Sequence, residues 1–350
     1  MKNMRELLMY ARNEDCSDIH ITAGMQVAVR RYKELYYLDD TPTITEAEDM
    51  IFSLVERSED REEILAGIDV DLGVLMEDCG RLRVNVYHQR NNLAASIRLL
   101  QQDVPALDSL GLPGVIKEMA ELPRGMVLIT GPTGSGKTTT LASMLEYLNI
   151  NYAKHIMTFE DPIEYILNHK KSLIHQREVG RDVTDFSTAL RSSLREDPDI
   201  ILVGEIRDYE TLQAALSAAE TGHLVLSTLH TASASQTIER LIDSCPSNVQ
   251  NQVRLQLASM LKGVFSQVLV PRADGKGMVV ATESLISTPA VSSMIRDNKV
   301  HMIDSAIQTG GKNGMHTLNA DLIRLVREKK ITRDVALKAA VNPGEMFKET

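Results

Sequence analysis

The segment MVLITGPTGSGKT (126–138) limits what this chain can fold into more than any other. Four apolar residues and a threonine, enough for a short buried strand, run straight into a glycine loop, and TTTLASMLEYLN (138–149) follows as a predicted helix. The loop consists of Gly131, Pro132, Thr133, Gly134, Ser135, Gly136, Lys137 and Thr138, which fits G-x-x-x-x-G-K-[ST]; Thr139 continues it into the helix. Each residue type has a chemical reason. Glycines let backbone N–H groups curl around phosphate oxygens, Lys137 sets a positive charge against the β and γ phosphates, and Thr138 offers a hydroxyl to Mg²⁺. The helix that begins here adds the positive end of its dipole. The bare pattern would arise by chance in about one chain in a hundred of this length. A strand before it and a helix after it lower that further. A dinucleotide loop is excluded, because the spacing is not G-x-G-x-x-G.

Beyond the loop, strand and helix patterns alternate. HIMTFE (155–160), DIILVG (199–204) and HLVLSTLH (223–230) read as buried strands, and YETLQAALSAAETG (209–222) as a helix closed by a glycine. Such alternation predicts an α/β domain with a mainly parallel sheet and helices on both faces. Ligands of such sheets gather at the carboxyl ends of the strands. Glu205, just after DIILVG, is placed to polarise an attacking water or to hold Mg²⁺ through water. Many strands of this kind end in Asp; here that position is Gly204. HIMTFE ends in Glu160, Asp161 and Glu164, three carboxylates within five residues, whose repulsion a metal–phosphate site would offset. His230, at the C-terminal end of its strand, is the candidate sensor of the γ-phosphate. His223, at the other end, either acts from a neighbouring part of the fold or caps it. No cysteine accompanies either histidine at the spacing of a zinc site.

The first hundred residues read differently. A helix with apolar groups at Met4, Leu7, Leu8 and Ala11 precedes strand-like DIHIT (18–22) and VAVRRY (27–32). TITEAEDMIFSLVE (43–56) is a predicted helix with a capping box at Thr45 and Glu48. VDLGVL (70–75), RLRVNVY (81–87) and NLAASIRLL (92–100) are predicted strands, in the last of which Leu93, Ala95, Ile97 and Leu99 alternate. The expectation is a smaller α+β domain over 1–100. QQDVPALDSLGLPG (101–114), broken by prolines and glycines, is the expected linker, and 115–350 the second domain. Its tail is predicted to hold a hairpin about ADGKG (273–277) and amphipathic helices between 289 and 340. The net charge of −10 argues against broad nucleic-acid binding. Cys16, Cys79 and Cys245 are far apart and read as free thiols of a reducing compartment. The N-terminus lacks the apolar core of a signal peptide, and no stretch approaches the about 20 apolar residues of a membrane span. The chain is expected to be cytoplasmic, without direct membrane insertion; if it works at a membrane, another protein holds it there.

GPTGSGKTTT, FEDPIEY, LREDPDIILVGEIRD and ETGHLVLSTLHT, in this order, resemble the four motifs of the type II/IV secretion superfamily ATPases: Walker A, Asp box, Walker B and His box. SDIHITAG, RLRVNVY and SAIQTGGKNGMHTLNADLI are similar to the pilus retraction motors of that superfamily. The resemblance spans nearly the whole chain. It implies a PAS-like N-terminal domain joined to a RecA-like P-loop ATPase domain, six chains in a ring, and ATP with Mg²⁺ as ligands. It implies Glu164 as the general base, Glu160 near the metal with Thr138 and Glu205, and Glu205 as the Walker B glutamate. It makes His223 and His230 the His-box pair and counts His223 among the nucleotide-binding residues. Arg83 and Arg98 match family arginines that reach the nucleotide from the N-terminal domain; a guanidinium fork suits phosphate charge in the transition state. The other reading of each arginine is an exposed strand charge.

Two positions depart from the retraction pattern. Ser292 stands where that class carries an arginine in its A-I-R-N-L-I-R-like helix, although Arg296 is kept, and GMQVAVR lacks the usual proline. The implied function is a hexameric motor for pilus retraction, acting on an inner-membrane platform protein and through it on pilin, with no nucleic-acid partner. The alternatives are a pilus assembly or type II secretion ATPase and an accessory retraction ATPase similar to PilU. Assembly and export ATPases often carry a longer N-terminal region and a C-x-x-C…C-x-x-C insert, and this chain has neither. A nucleotide-binding regulator without turnover would need neither Glu164 nor Glu205.

Overall fold

The computed structural model describes residues 3–31, 34–100, 103–341 and 343–346. They fall into two compact units: Met1–Asp103 with Pro162–Ile166, and Val104–Asp161 with Leu167–Thr350.

The first unit is an antiparallel sheet with helices packed on one face. Its strands are β1 (Cys16–Thr22), β2 (Ala28–Arg31), β3 (Glu34–Tyr37), β4 (Val70–Met76), β5 (Gly80–Gln89) and β6 (Asn92–Leu99), in the order β3-β2-β1-β6-β5-β4. Strand alternation decides which face is covered. Leu82, Val84 and Val86 of β5 are buried, while Arg83 between them is exposed. The helix Met4–Asn13 buries Met4, Leu7, Leu8 and Ala11, the four positions its spacing predicts, and is capped by the Asn3 side chain. The second helix, Ile44–Phe52, has its capping box at Thr43 and Glu46, not at Thr45 and Glu48. Thr43 is the last extended residue before the turn, so its hydroxyl reaches the Glu46 N–H. Tyr32, the end of the expected VAVRRY strand, lies outside the described residues. The short segment Pro162–Ile166 joins this unit, where Arg81 Nε donates to the Ile163 carbonyl at 2.6 Å.

The second unit is built on β7 (Gly125–Thr130), β8 (His155–Glu160), β9 (Leu173–Glu178), β10 (Ile200–Val203), β11 (Leu224–Leu229), β12 (Leu261–Pro271) and β13 (Met278–Ile286), in the order β13-β12-β7-β11-β10-β8-β9. Every neighbouring pair is parallel except the hairpin β12–β13. The central strands β7, β11 and β10 are buried on both faces, as their apolar runs require. Met126 and Leu128 of β7 pack with the helices Tyr209–Glu220, Ala234–Asp243 and Gln250–Met260. Val127 and Ile129, pointing the opposite way, pack with Val115–Ala120 and Lys137–Asn151. A third cluster joins the hairpin to the C-terminal helices through Val270, Ala281, Leu322 and Leu325. Of the stretch 101–114, residues 101 and 102 lie outside the described residues. From Val104 it belongs to the second unit, with Leu107 buried beside Ile116. Among the described residues no helix is long and apolar enough to cross a membrane.

Candidate functional site

Four adjacent parallel strands bring polar residues to one edge of the second sheet. β7 leads into the glycine loop, β11 into His230, β10 into Gly204 and Glu205, and β8 ends at Glu160. This is the carboxyl edge, where open α/β sheets bind ligands.

The loop's shape follows from its glycines. Gly131, Gly134 and Gly136 all have positive φ, at 142°, 77° and 88°. Gly131 also lies against β12 so closely that a Cβ would overlap the Gln267 carbonyl oxygen and stand 2.7 Å from Ser135 Oγ. Gly136 precedes the helix Lys137–Asn151, which no side chain caps, so its first N–H groups and its dipole face the loop. Ser135 Oγ is buried and has no hydrogen-bond partner among the described residues. A cradle of backbone donors with an unmatched hydroxyl inside it suits a phosphate. Lys137 is 8% exposed, and its Nζ donates to the carbonyls of Gly131 (2.8 Å) and Pro132 (3.1 Å).

Lys137 also meets His230, with Nζ 3.4 Å from Nδ1. An ammonium can only donate, so Nδ1 accepts and the ring proton of neutral His230 sits on Nε2. Nε2 lies 3.5 Å from Glu205 Oε2, and the other Glu205 oxygen is paired with Arg207. That pairing raises the Arg207 pKa, with Asp161 adding a smaller contribution. A line of polar contacts therefore runs Lys137–His230–Glu205–Arg207 across the strand ends, with a cation at each end. Gly204 is explained by the same crowding. Its N–H donates to the Phe159 carbonyl at 2.8 Å, and a Cβ would stand 3.2 Å from that oxygen and 3.5 Å from Glu160 Cα. A side chain there would press the Glu205 and Glu160 strands apart.

Glu160 is 8% exposed and accepts from Thr158 Oγ1 (2.7 Å) and Gln176 Nε2 (3.1 Å). Among the described residues no group of three His, Cys, Asp or Glu side chains is arranged to hold a metal. The donor set still fits Mg²⁺, which keeps most of its waters and takes its remaining ligands from one protein oxygen and the substrate phosphates. Thr138, on the helix's first turn, carries a hydroxyl oxygen of that kind.

Not every expected residue gathers here. His223 is at the opposite end of β11, beside the start of β7, where its main-chain oxygen accepts from Gly125 N. The six-residue strand separates it from His230 by about 20 Å. Its Nδ1 contacts the Ala218 carbonyl (2.8 Å) and Thr221 Oγ1 (3.1 Å), so it secures the end of the Tyr209–Glu220 helix and does not join the phosphate loop of its own chain. Glu164, Arg83 and Arg98 belong to the first unit. Arg83 and Arg98 are cross-strand partners on β5 and β6, both exposed, and Arg98 Nε bonds Asp18 at 2.9 Å. Two like charges directly opposite repel, and the Asp18 carboxylate offsets that repulsion at Arg98. Ser292 lies on the helix Pro289–Arg296, its hydroxyl 3.2 Å from Ser287 Oγ. Sequence reasoning missed Arg207, although it stands inside the quoted Walker B stretch. It also missed Glu283, whose carboxylate accepts Ala234 N at 2.9 Å just after the His230 loop and whose pKa burial raises.

Residues 1–319 match the type II/IV secretion system protein family. The chain belongs to that family. It is 43% identical over 341 residues to the type IV pilus retraction ATPase PilT of Pseudomonas aeruginosa, covering 97% of this chain and 99% of that protein. A twitching motility protein of Neisseria gonorrhoeae is 46% identical over 279 residues, 80% of this chain and 75% of its own. The crystal structure of the pilus retraction motor PilT with bound ADP superposes with a TM-score of 0.92 at 42% identity, covering 99% of each chain. The fold is that of these family ATPases: an N-terminal sheet domain followed by an α/β ATPase domain.

Proposed function

We propose that this chain is an ATP-hydrolysing motor that powers type IV pilus retraction. It acts as a homohexamer at the cytoplasmic face of the inner membrane, on a platform protein and through it on pilin. The observation that carries the reading is the line Lys137–His230–Glu205 at the mouth of a phosphate loop, in a chain similar along nearly its whole length to a named retraction ATPase.

The residues divide the chemistry among them. Lys137 exchanges the carbonyls of Gly131 and Pro132 for the β- and γ-phosphate oxygens, which compensate a buried cation better than neutral acceptors do. Mg²⁺, when bound, offsets phosphate charge; Thr138 would hold it directly, and Glu160 and Glu205 through water. Glu164 takes the proton of the attacking water as its oxygen bonds to the γ-phosphorus and the bond to ADP breaks. His230 touches both Lys137 and Glu205, so it senses whether the lysine has moved to phosphate. Arg83 and Arg98 supply positive charge to the transition state, where it is needed most.

The test is complementation of a piliated bacterium lacking its retraction ATPase. Restored twitching and fibre retraction, lost again with Lys137→Ala, are expected. Restored fibre assembly in an assembly-deficient strain, without retraction, would place the chain in the assembly class.

A further inference from the structure

The phosphate loop is held from the side by a residue outside its motif. Gln267 lies on β12, next to β7, and is 1% exposed. Its amide spans the loop: Nε2 donates to the Ser135 carbonyl at 2.8 Å, and Oε1 accepts from Thr140 Oγ1 at 3.1 Å. A carbonyl oxygen can only accept, so the amide must turn its NH₂ towards Ser135. The main-chain oxygen of Gln267 packs on Gly131 where a Cβ would otherwise be, and Nε2 would stand 3.4 Å from a Cβ at Gly136. One buried residue thus touches the beginning, the middle and the end of the loop, and the first turn of the helix behind it. Ser266, its neighbour, bonds Thr130 just before the loop at 2.7 Å.

We infer that Gln267 is a positioning residue for nucleotide binding, which keeps the phosphate loop in the conformation able to surround phosphate. The inference rests on reading that loop as a nucleotide site. A loop with three glycines at positive φ has many alternative conformations. Apparent affinity falls in proportion to the fraction of molecules in the competent one. Two buried hydrogen bonds from a strand paired on both sides suppress the alternatives, and removing one partner leaves the other buried and unsatisfied. Loss of both should weaken binding by about tenfold to a hundredfold. The strand also ties the loop to the C-terminal helices. Gln267 is the register partner of Thr282, whose N–H donates to Asp321 Oδ2 at 2.8 Å and whose hydroxyl meets His316 Nε2 at 2.9 Å.

Gln267→Met keeps the side-chain length but cannot donate to Ser135, and Thr140→Val removes one arm alone. Dissociation constants for ADP and ATP, from titration of the full chain with a fluorescent nucleotide and competition, are read beside unfolding midpoints without nucleotide. Gln267→Met should bind about tenfold or more weakly, and Thr140→Val roughly threefold to tenfold. Gln267→Glu should bind no better than Gln267→Met, since it sets a second acceptor against the Ser135 carbonyl. Lowered midpoints with unchanged affinity in both variants would mean a purely structural residue and overturn the inference. If Gln267→Met does not fold, Thr140→Val decides by the same two readings. A wild-type chain that binds neither nucleotide would refute the nucleotide-site reading itself, an outcome distinct from equal binding by wild type and variants.

Discussion

Gly131→Ala isolates the crowding between the phosphate loop and β12. The added Cβ would overlap the Gln267 oxygen, stand 2.7 Å from Ser135 Oγ and 3.3 Å from the Gln267 carbonyl carbon. Non-bonded contacts of this kind settle near 3.5 Å. The oxygen cannot retreat, because β12 is paired with β7 on one side and β13 on the other. The loop must therefore move by roughly 1 Å, at the overpacking cost of about 1–3 kcal/mol. An L-residue forced to positive φ adds about 1–2 kcal/mol. Gly134→Ala is the matched control: its φ is 77°, and nothing lies within 4 Å of the Cβ position, so it carries only the backbone cost. With about 2–4 °C per kcal/mol for a domain of this size, the overpacking cost puts Gly131→Ala roughly 2–12 °C below Gly134→Ala. The assay is calorimetry of the full chain without nucleotide, following the transition of the ATPase domain. Equal midpoints for the two variants would refute the close approach and the reasoning built on it.

Other expectations follow from the same contacts. His230→Ala leaves Glu205 with Arg207 and Lys137 with the loop carbonyls, so turnover should fall about tenfold or more while ADP affinity changes far less; steady-state rates and nucleotide titration check it. Glu283 is held protonated to higher pH in the folded chain, because burial raises its pKa, with Asp304 adding to the shift. Its contribution to stability is therefore complete below its ordinary value of 4.5 and lost as pH rises through the raised value. Glu283→Gln keeps an acceptor for Ala234 N and should flatten that decline, as unfolding midpoints at stepped pH would show.

The sequence was most legible where local chemistry and fold agree. The glycine loop could be placed from its pattern because the glycines adopt positive φ and the Lys137–Asn151 helix starts where the motif ends. The buried strands β7, β10 and β11 were visible as unbroken apolar runs, and the β12–β13 hairpin from its glycine turn. Other elements carry little pattern of their own. β3 is exposed along its whole length, and the inward side of β9, at a sheet edge, carries Gln176 and Glu178 beside Ile174, so neither shows an apolar pattern. Residue-to-residue geometry was less accessible still. The strand HLVLSTLH shows two histidines, but only strand direction separates them, leaving His230 at the loop and His223 at the far edge. Gln267 and Glu283 look like ordinary strand polar residues. Their roles come from partners more than 45 residues away, Ser135 for one and Ala234 for the other.

The most direct test of the motor reading is the steady-state ATPase rate per chain, measured against protein concentration with mass followed by light scattering. The account predicts a rate that rises as hexamers form and disappears with Lys137→Ala or Glu205→Gln. A concentration-independent trace rate, from a monomer that binds ATP and is indifferent to Glu205→Gln, would contradict it and leave a nucleotide-binding regulator in its place.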